Sequence, residues 1–304
     1  MTSILTNNAA MGALQTLRGI NSDLQSTQNA VSSGLRISKA SDNAAYWSIA
    51  TTMKSDDSAI GAVSDALGLG AAKVDTATTA VTSALDIVSQ IKSKLVTAME
   101  GSVDKGQVQE EIGQLQQQLE SVAQSASFNG ENWVMAANND SASVVSSFIR
   151  GTNGTVSVST TSYAFNTGAT GNVLFGTQAN GSIDTSAGIL GTQDSTVGAS
   201  VFSLDITGMT GGQISTALNM VQTALNSMTS MGSRLGSIST RIDLQTTFAS
   251  SLSDSIESGV GKLVDADMEE ESSKLSALQT QQQLAVQSLS IANSSSQNIL
   301  SLFR

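Results

Sequence analysis

Residues 214–256 read ISTALNMVQTALNSMTSMGSRLGSISTRIDLQTTFASSLSDSI, and the spacing of their apolar members decides the fold. Ile214, Ala217, Val221, Ala224, Met228, Met231, Leu235, Ile238, Ile242, Gln245, Ala249, Leu252 and Ile256 follow one another at alternating steps of three and four, with Gln245 the only polar member. In a chain that is 39% hydrophobic, chance would fill about five of those thirteen positions. Such a stripe is the seam of a helix packed lengthwise on another helix. At the helical rise per residue, this segment alone predicts a rod element roughly 65 Å long.

The pattern returns upstream. Tyr46, Ile49, Met53, Ile60, Val63, Leu67, Val74, Ala77, Val81, Ala84, Val88, Ile91, Leu95 and Ala98 make a second seam, interrupted at Asp56 and Gly70. Val108, Ile112, Leu115, Leu119, Val122 and Ala126 make a third, and Gly101 to Gly106 supplies the turn between the two. Three seams side by side predict a mainly α fold, a long antiparallel coiled-coil rod.

Both ends repeat the pattern in weaker form. Leu14, Leu17, Asn21, Leu24, Gln28, Val31 and Leu35 mark a first helix, and Leu275, Leu278, Gln282, Ala285, Leu289, Ala292, Ser296, Ile299 and Phe303 a last one. Polar residues at seam positions fix register and lower stability, so neither end is expected to stand alone. Gly34 is the expected stop of the first helix and Ser41 or Asp42 the cap of the next. Gly259 and Gly261 are expected to separate the rod from the last helix. Asp265, Asp267, Glu269, Glu270 and Glu271 then crowd its start, where negative charge suits the helix dipole. A cation site is the alternative reading, disfavoured because hard cations need oxygens converging from a loop.

From about Asn138 to Thr210 Gly, Ser, Thr and Asn dominate, and alternation replaces the helical period. Val156 with Val158, Tyr163 with Phe165, and Phe202, Leu204 and Ile206 read as short strands. The expected organisation is nested: 1–43 with 262–304 as a terminal paired-helix domain, 44–137 with 211–261 as the helical rod, and 138–210 as a small β-rich surface region at the rod's far tip.

Composition narrows the function. The chain has no His, Cys or Pro, so Ser–His, Cys–His and His–metal chemistry are excluded, and no cofactor or enzymatic activity is expected. Fourteen basic against 25 acidic residues give a net charge of -11, which argues against nucleic acid as a partner. Gly208 to Gly212 lacks the Lys-Ser or Lys-Thr of a phosphate loop. No stretch is apolar enough to span a membrane, and Met1 to Ala10 lacks the basic start and apolar run of a cleaved signal peptide.

Four stretches carry a family resemblance. Leu5-Thr6-Asn7-Asn8-Ala9-Ala10 with Ala13-Leu14, and Val31-Ser32-Ser33-Gly34-Leu35-Arg36-Ile37 followed by Asp42-Asn43-Ala44-Ala45, are the first two. Phe128-Asn129-Gly130 is the third, and Ala285-Val286-Gln287 through Ala292-Asn293 to Gln297-Asn298-Ile299-Leu300-Ser301-Leu302-Phe303-Arg304 the fourth. In this order they resemble the bacterial flagellins, in a compact type with a short central region. The resemblance covers roughly residues 1 to 135 and 210 to 304 and leaves the middle unmatched.

The resemblance implies a structural subunit of the flagellar filament, exported unfolded and without a cleaved signal, and polymerised outside the cell. The expected contacts between copies are Leu14, Leu17, Leu24, Val31, Leu35, Leu278, Leu289, Ile299, Leu302 and Phe303. It further implies other flagellins in a mixed filament, an export chaperone, the filament cap and hook-junction proteins as partners. Ser89-Gln90-Ile91-Lys92-Ser93-Lys94-Leu95-Val96 poorly matches the segment that the vertebrate innate immune receptor recognises, so weak recognition is expected. Two rival readings stand beside this one. A hook-filament junction protein shares the terminal helices; a chemoreceptor signalling hairpin shares the heptads, but would be continuous and mirror-symmetric.

Overall fold

The computed structural model describes the backbone of residues 7–151, 153 and 155–301, and side chains as far as Ser294. Along the chain run α1 (Asn8–Ser33), α2 (Ala44–Ala98), α3 (Lys105–Ser125), β1 (Ser127–Phe128), β2 (Glu131–Asn132), β3 (Met135–Ala136), β4 (Ser141–Arg150), β5 (Val156–Ala164), β6 (Phe175–Thr177), β7 (Ile183–Asp184), α4 (Gly211–Val264) and α5 (Met268–Ser301). The fold is mainly α. Two compact units divide it, Met1–Ser58 with Ser253–Arg304, and Ala59–Leu252; α2 and α4 contribute to both.

In the unit Ala59–Leu252 the seams are where the spacing puts them. Every α4 seam residue from Ile214 to Leu235 is buried, as are Val63, Leu67, Val74, Val81, Val88, Ile91 and Leu95 of α2 and Val108, Ile112 and Leu119 of α3. The turn after Ala98 is closed by Asp104, whose side chain accepts from the Gly106 N–H at the start of α3. One continuous apolar core results, and the β-rich part adds Trp133, Tyr163, Phe165, Leu174, Phe175, Leu190 and Leu204 to it.

The β-rich part differs from expectation in two ways. Phe202, Leu204 and Ile206 alternate in sequence but form no strand. Two glutamines of α3 take the bonds that a neighbouring strand would make. Gln116 Nε2 donates to the Val201 and Leu204 carbonyls at 3.1 Å each. Gln109 donates to the Leu204 carbonyl at 3.2 Å and accepts from the Ile206 N–H at 2.9 Å. Nor does the β4–β5 hairpin crown the far tip. A Cβ on Gly70 of α2 would fall on the Val144 Cγ1 of β4. Val144, Val145, Ser146 and Thr161 share a small void with Leu67, Ile238, Ile242 and Gln245. About 40 Å of helix separates that contact from the end of α2 at Ala98, so the hairpin lies along the helices.

The other unit holds α1 and α5 antiparallel. Asn7 Nδ2 donates to the Ala292 carbonyl at 2.9 Å, and Gln282 Nε2 to the Asn21 Oδ1 at 2.6 Å. Beside them Ile37, Ala50, Val260 and Val264 form a second, small core, with Leu35, Met53, Ile256 and Leu263 against it. Gly34 ends α1 at φ +71° with its N–H on the Ala30 carbonyl, as expected of a left-handed stop.

Two local expectations shift. Asn43, one residue beyond Asp42, caps α2 by accepting from the Tyr46 N–H at 3.1 Å. Asp42 instead holds the loop before it. Gly259 and Gly261 do not break α4, which runs on to Val264. Gly259 sits where the Met53 Cε comes close, a contact that explains the missing side chain without a turn. The break falls at Asp265 to Asp267, and Asp267 caps α5 by accepting from the Glu269 and Glu270 N–H groups.

Candidate assembly surface

The α1–α5 pair is too thinly packed to be a finished structure. Among the described residues of the two helices only Thr27, at 2% exposure, and Leu278, at 8%, are buried. The α4 seam, by contrast, reaches 0% at Ile214, Ala217, Val221, Met228 and Leu235. On α5 the inward line is the expected one, through Leu275, Leu278, Gln282, Ala285, Leu289 and Ala292. On α1 it alternates differently. Ala10, Ala13, Leu17, Ile20, Leu24, Thr27 and Val31 turn inward, while Leu14, Asn21 and Gln28 are exposed.

The residues expected to join copies therefore divide. Leu17, Leu24, Val31, Leu35 and Leu289 are half-buried and Leu278 is buried, all within one subunit. Leu14 is 38% exposed on the outer side of α1. Ile299 belongs to the last turns of α5, its side chain outside the described set, and Leu302 and Phe303 lie outside the described residues.

A second set of apolar residues faces solvent. Met11 is exposed on α1, Tyr46, Trp47 and Ile49 on the first turns of α2, and Leu284, Val286 and Ile291 on α5. Leu284 and Ile291 are two turns apart on one line of the helix, well away from the seam. They lie off the heptad seam, and their seven-residue spacing is the signal the sequence carries for them. Large apolar side chains rimmed by polar ones mark a surface that meets another protein. No charged residue occurs between Leu275 and Phe303, so α5 beyond its first two turns can make contacts only through apolar, amide and hydroxyl groups.

On α5 charge is confined to the start of the helix, while α1 carries Arg18 and Asp23 near its middle. Glu269, Glu270 and Glu271 occupy the first turn of α5, against the positive end of its dipole. In the loop before α2, partial desolvation pushes the Asp42 carboxyl up, but bonds from the Ser38 and Lys39 N–H groups and the Ser38 hydroxyl, with the Lys39 charge, outweigh it and hold it below its usual value. Among the described residues no group of carboxylates is placed to hold a metal, and no helix is long and apolar enough to cross a membrane.

Two helices at opposite ends of the sequence, folded back on each other and left with bare apolar flanks, fall within the parts that family comparison identifies, together with α2, α3 and most of α4. Residues 4–139 match the bacterial flagellin N-terminal helical region and residues 218–303 the bacterial flagellin C-terminal helical region. The chain belongs to the bacterial flagellin family. It is 44% identical to flagellin A of Rhizobium meliloti, 47% identical to flagellin C of that species and 47% identical to a flagellin of Brucella melitensis, with all of both chains covered each time. As a flagellin, the chain is a structural protein, a subunit of the flagellar filament outside the cell, where it polymerises with other flagellins; it is not an enzyme.

Proposed function

We propose that polymerisation is driven by the ends of the chain: α1 and α5 gain from neighbouring copies the burial that they lack in one subunit. The carrying observation is the contrast between a pair that, among its described residues, buries only Thr27 and Leu278 and a flank that exposes Met11, Leu14, Leu284, Val286 and Ile291. Ordering a long helix costs about 1–2 kcal/mol per residue in backbone entropy, and two helices with one thin seam recover little of it. Neighbours supply the rest, so folding of the ends is coupled to assembly.

On this reading Leu14, Leu17, Leu24, Val31, Leu35, Leu278, Leu289, Ile299, Leu302 and Phe303 form the assembly interface. The segments 1–43 and 262–304 are the filament core, 44–137 and 211–261 the rod around it, and 138–210 the surface. Export without a cleaved signal, a chaperone before assembly, and cap and hook-junction proteins at the filament's ends belong to the same reading. So does weak recognition by the innate immune receptor. It is supported by the restraint of two lysines in the mismatched segment: Lys92 donates to Gln222 at 2.6 Å and Lys94 is paired with Glu111. Full potency of the monomer in a reporter-cell assay would count against that part.

Removal of Thr280 to Arg304 tests the main proposal. The truncated chain should keep the cooperative melting of its rod and form no filaments when seeded. Filaments of normal length from the truncated chain would refute it.

A further inference from the structure

The loop after α1 and the loop after α4 are 227 positions apart in sequence where Arg36 meets Leu263, yet they are tied into one knot. The Arg36 N–H donates to the Val264 carbonyl at 2.7 Å, the Ile37 N–H to the same oxygen at 3.2 Å, and the Ala266 N–H back to the Gly34 carbonyl at 2.9 Å. Leu35 and Asp265 face each other as an isolated antiparallel bridge. Across this knot the Arg36 Nη2 reaches the Leu263 carbonyl at 3.0 Å. Leu263 and Val264 are the last residues of α4, and the last carbonyls of a helix have no partner inside it. Arg36 thus caps the C-terminus of α4 from another part of the chain, with its charge on the negative end of the helix dipole. Asp42 fixes the far side of the same loop through Ser38 and Lys39.

We infer that Arg36 is a positioning residue which makes the α1–α2 and α4–α5 connections a single hinge, and so sets the angle at which the α1–α5 pair leaves the ends of α2 and α4. The inference rests on the reading that these subunits repeat in a helical polymer. There, a small change of angle in each subunit accumulates into a change of filament pitch.

Arg36→Gln removes the guanidinium and leaves the backbone bonds in place. Two readouts are expected: filaments with a pitch different from wild type by electron microscopy, and exchange at the Ile37 and Ala266 amides faster together by about tenfold. Arg36→Lys, which keeps a cation at the end of α4, should return both toward wild type. If Arg36→Gln does not assemble alone, it is incorporated as a minority into wild-type filaments, where pitch should change with its proportion. Wild-type pitch in the Gln variant, or faster exchange at Ile37 alone, overturns the inference. Failure of the wild-type chain to polymerise would instead sink the functional reading, and exchange at the two amides in the monomer would still judge the hinge.

Discussion

The Cγ1 methyl of Val144 occupies the space where a side chain on Gly70 would stand, so β4 lies directly on the backbone of α2. A glycine that reads as a flaw in a heptad seam is the position at which the β hairpin is fastened to the helices. Gly70→Ala should therefore destabilise the chain, although alanine is favoured over glycine in a helix by about 1 kcal/mol. Overpacking costs about 1–3 kcal/mol, and the contact is with a strand held by its own ladder, not with a free side chain. Chemical denaturation should show a lower midpoint, partly restored by adding Val144→Ala. Unchanged stability in the single variant would mean that the hairpin can shift at no cost.

Gln116→Leu should cost about 1–3 kcal/mol, because it strands the Val201 carbonyl and removes one of the two donors to the Leu204 carbonyl, leaving only Gln109 there. The same change on an exposed glutamine such as Gln117 should be nearly neutral. Hydrogen exchange would locate the effect: amides near residues 201–206 should lose protection while those in the middle of α4 keep theirs. Uniform loss along the chain would indicate a general role for Gln116 in place of a local clamp.

These two contacts show where the sequence was legible. The α4 seam could be read directly because its stripe is apolar at nearly every step and buried without a break from Ile214 to Leu235. The α1 seam was ambiguous, since Leu14-Asn21-Gln28 and Ala13-Ile20-Thr27 both alternate with Leu17, Leu24 and Val31. The leucine favoured the first choice, and the helix took the second, in which Ile20 replaces Asn21 on the inside. Residues 201–206 carry a strand's alternation, but the hydrogen-bonding partner that makes a strand lies on α3, about ninety positions away in sequence, and periodicity holds no trace of it. Asn129-Gly130 carries a turn signal as well as a family landmark. Both residues have positive φ, 52° and 83°, and close the β1–β2 hairpin, which the pair Asn-Gly signals on its own.

Acid should loosen the loop that carries the hinge. The folded-state value of Asp42 is depressed below 3.8, so the stabilisation from its bonds to Ser38 and Lys39 is fully present above the unfolded value and disappears as pH falls through the folded one. Below the ordinary carboxylate range, the Ser38 and Lys39 amides should lose protection, their exchange approaching the intrinsic rate for that pH. In Asp42→Asn, which keeps an acceptor but no charge, that extra pH dependence should vanish. A variant that still shows the wild-type acid response would assign it to another carboxylate.

The outer line of α5 offers the sharpest separation of folding from assembly. Leu284 is 59% and Ile291 69% exposed, so Leu284→Gln and Ile291→Gln should leave the melting of the monomer within about 0.5 kcal/mol of wild type. If neighbouring copies bury these side chains, each loss forfeits about 1.5–3 kcal/mol of apolar burial per contact. That corresponds to a rise of at least tenfold in the concentration needed for filaments to grow. Because α5 carries no charge beyond Lys274, kosmotropic salt should lower that concentration in the wild type by strengthening apolar burial, and should do so less in the variants. Seeded growth followed by light scattering gives both quantities. Growth of both variants at the wild-type concentration would mean that this line of α5 faces solvent in the filament as it does in the single chain, leaving Met11 and Leu14 of α1 to carry the contact.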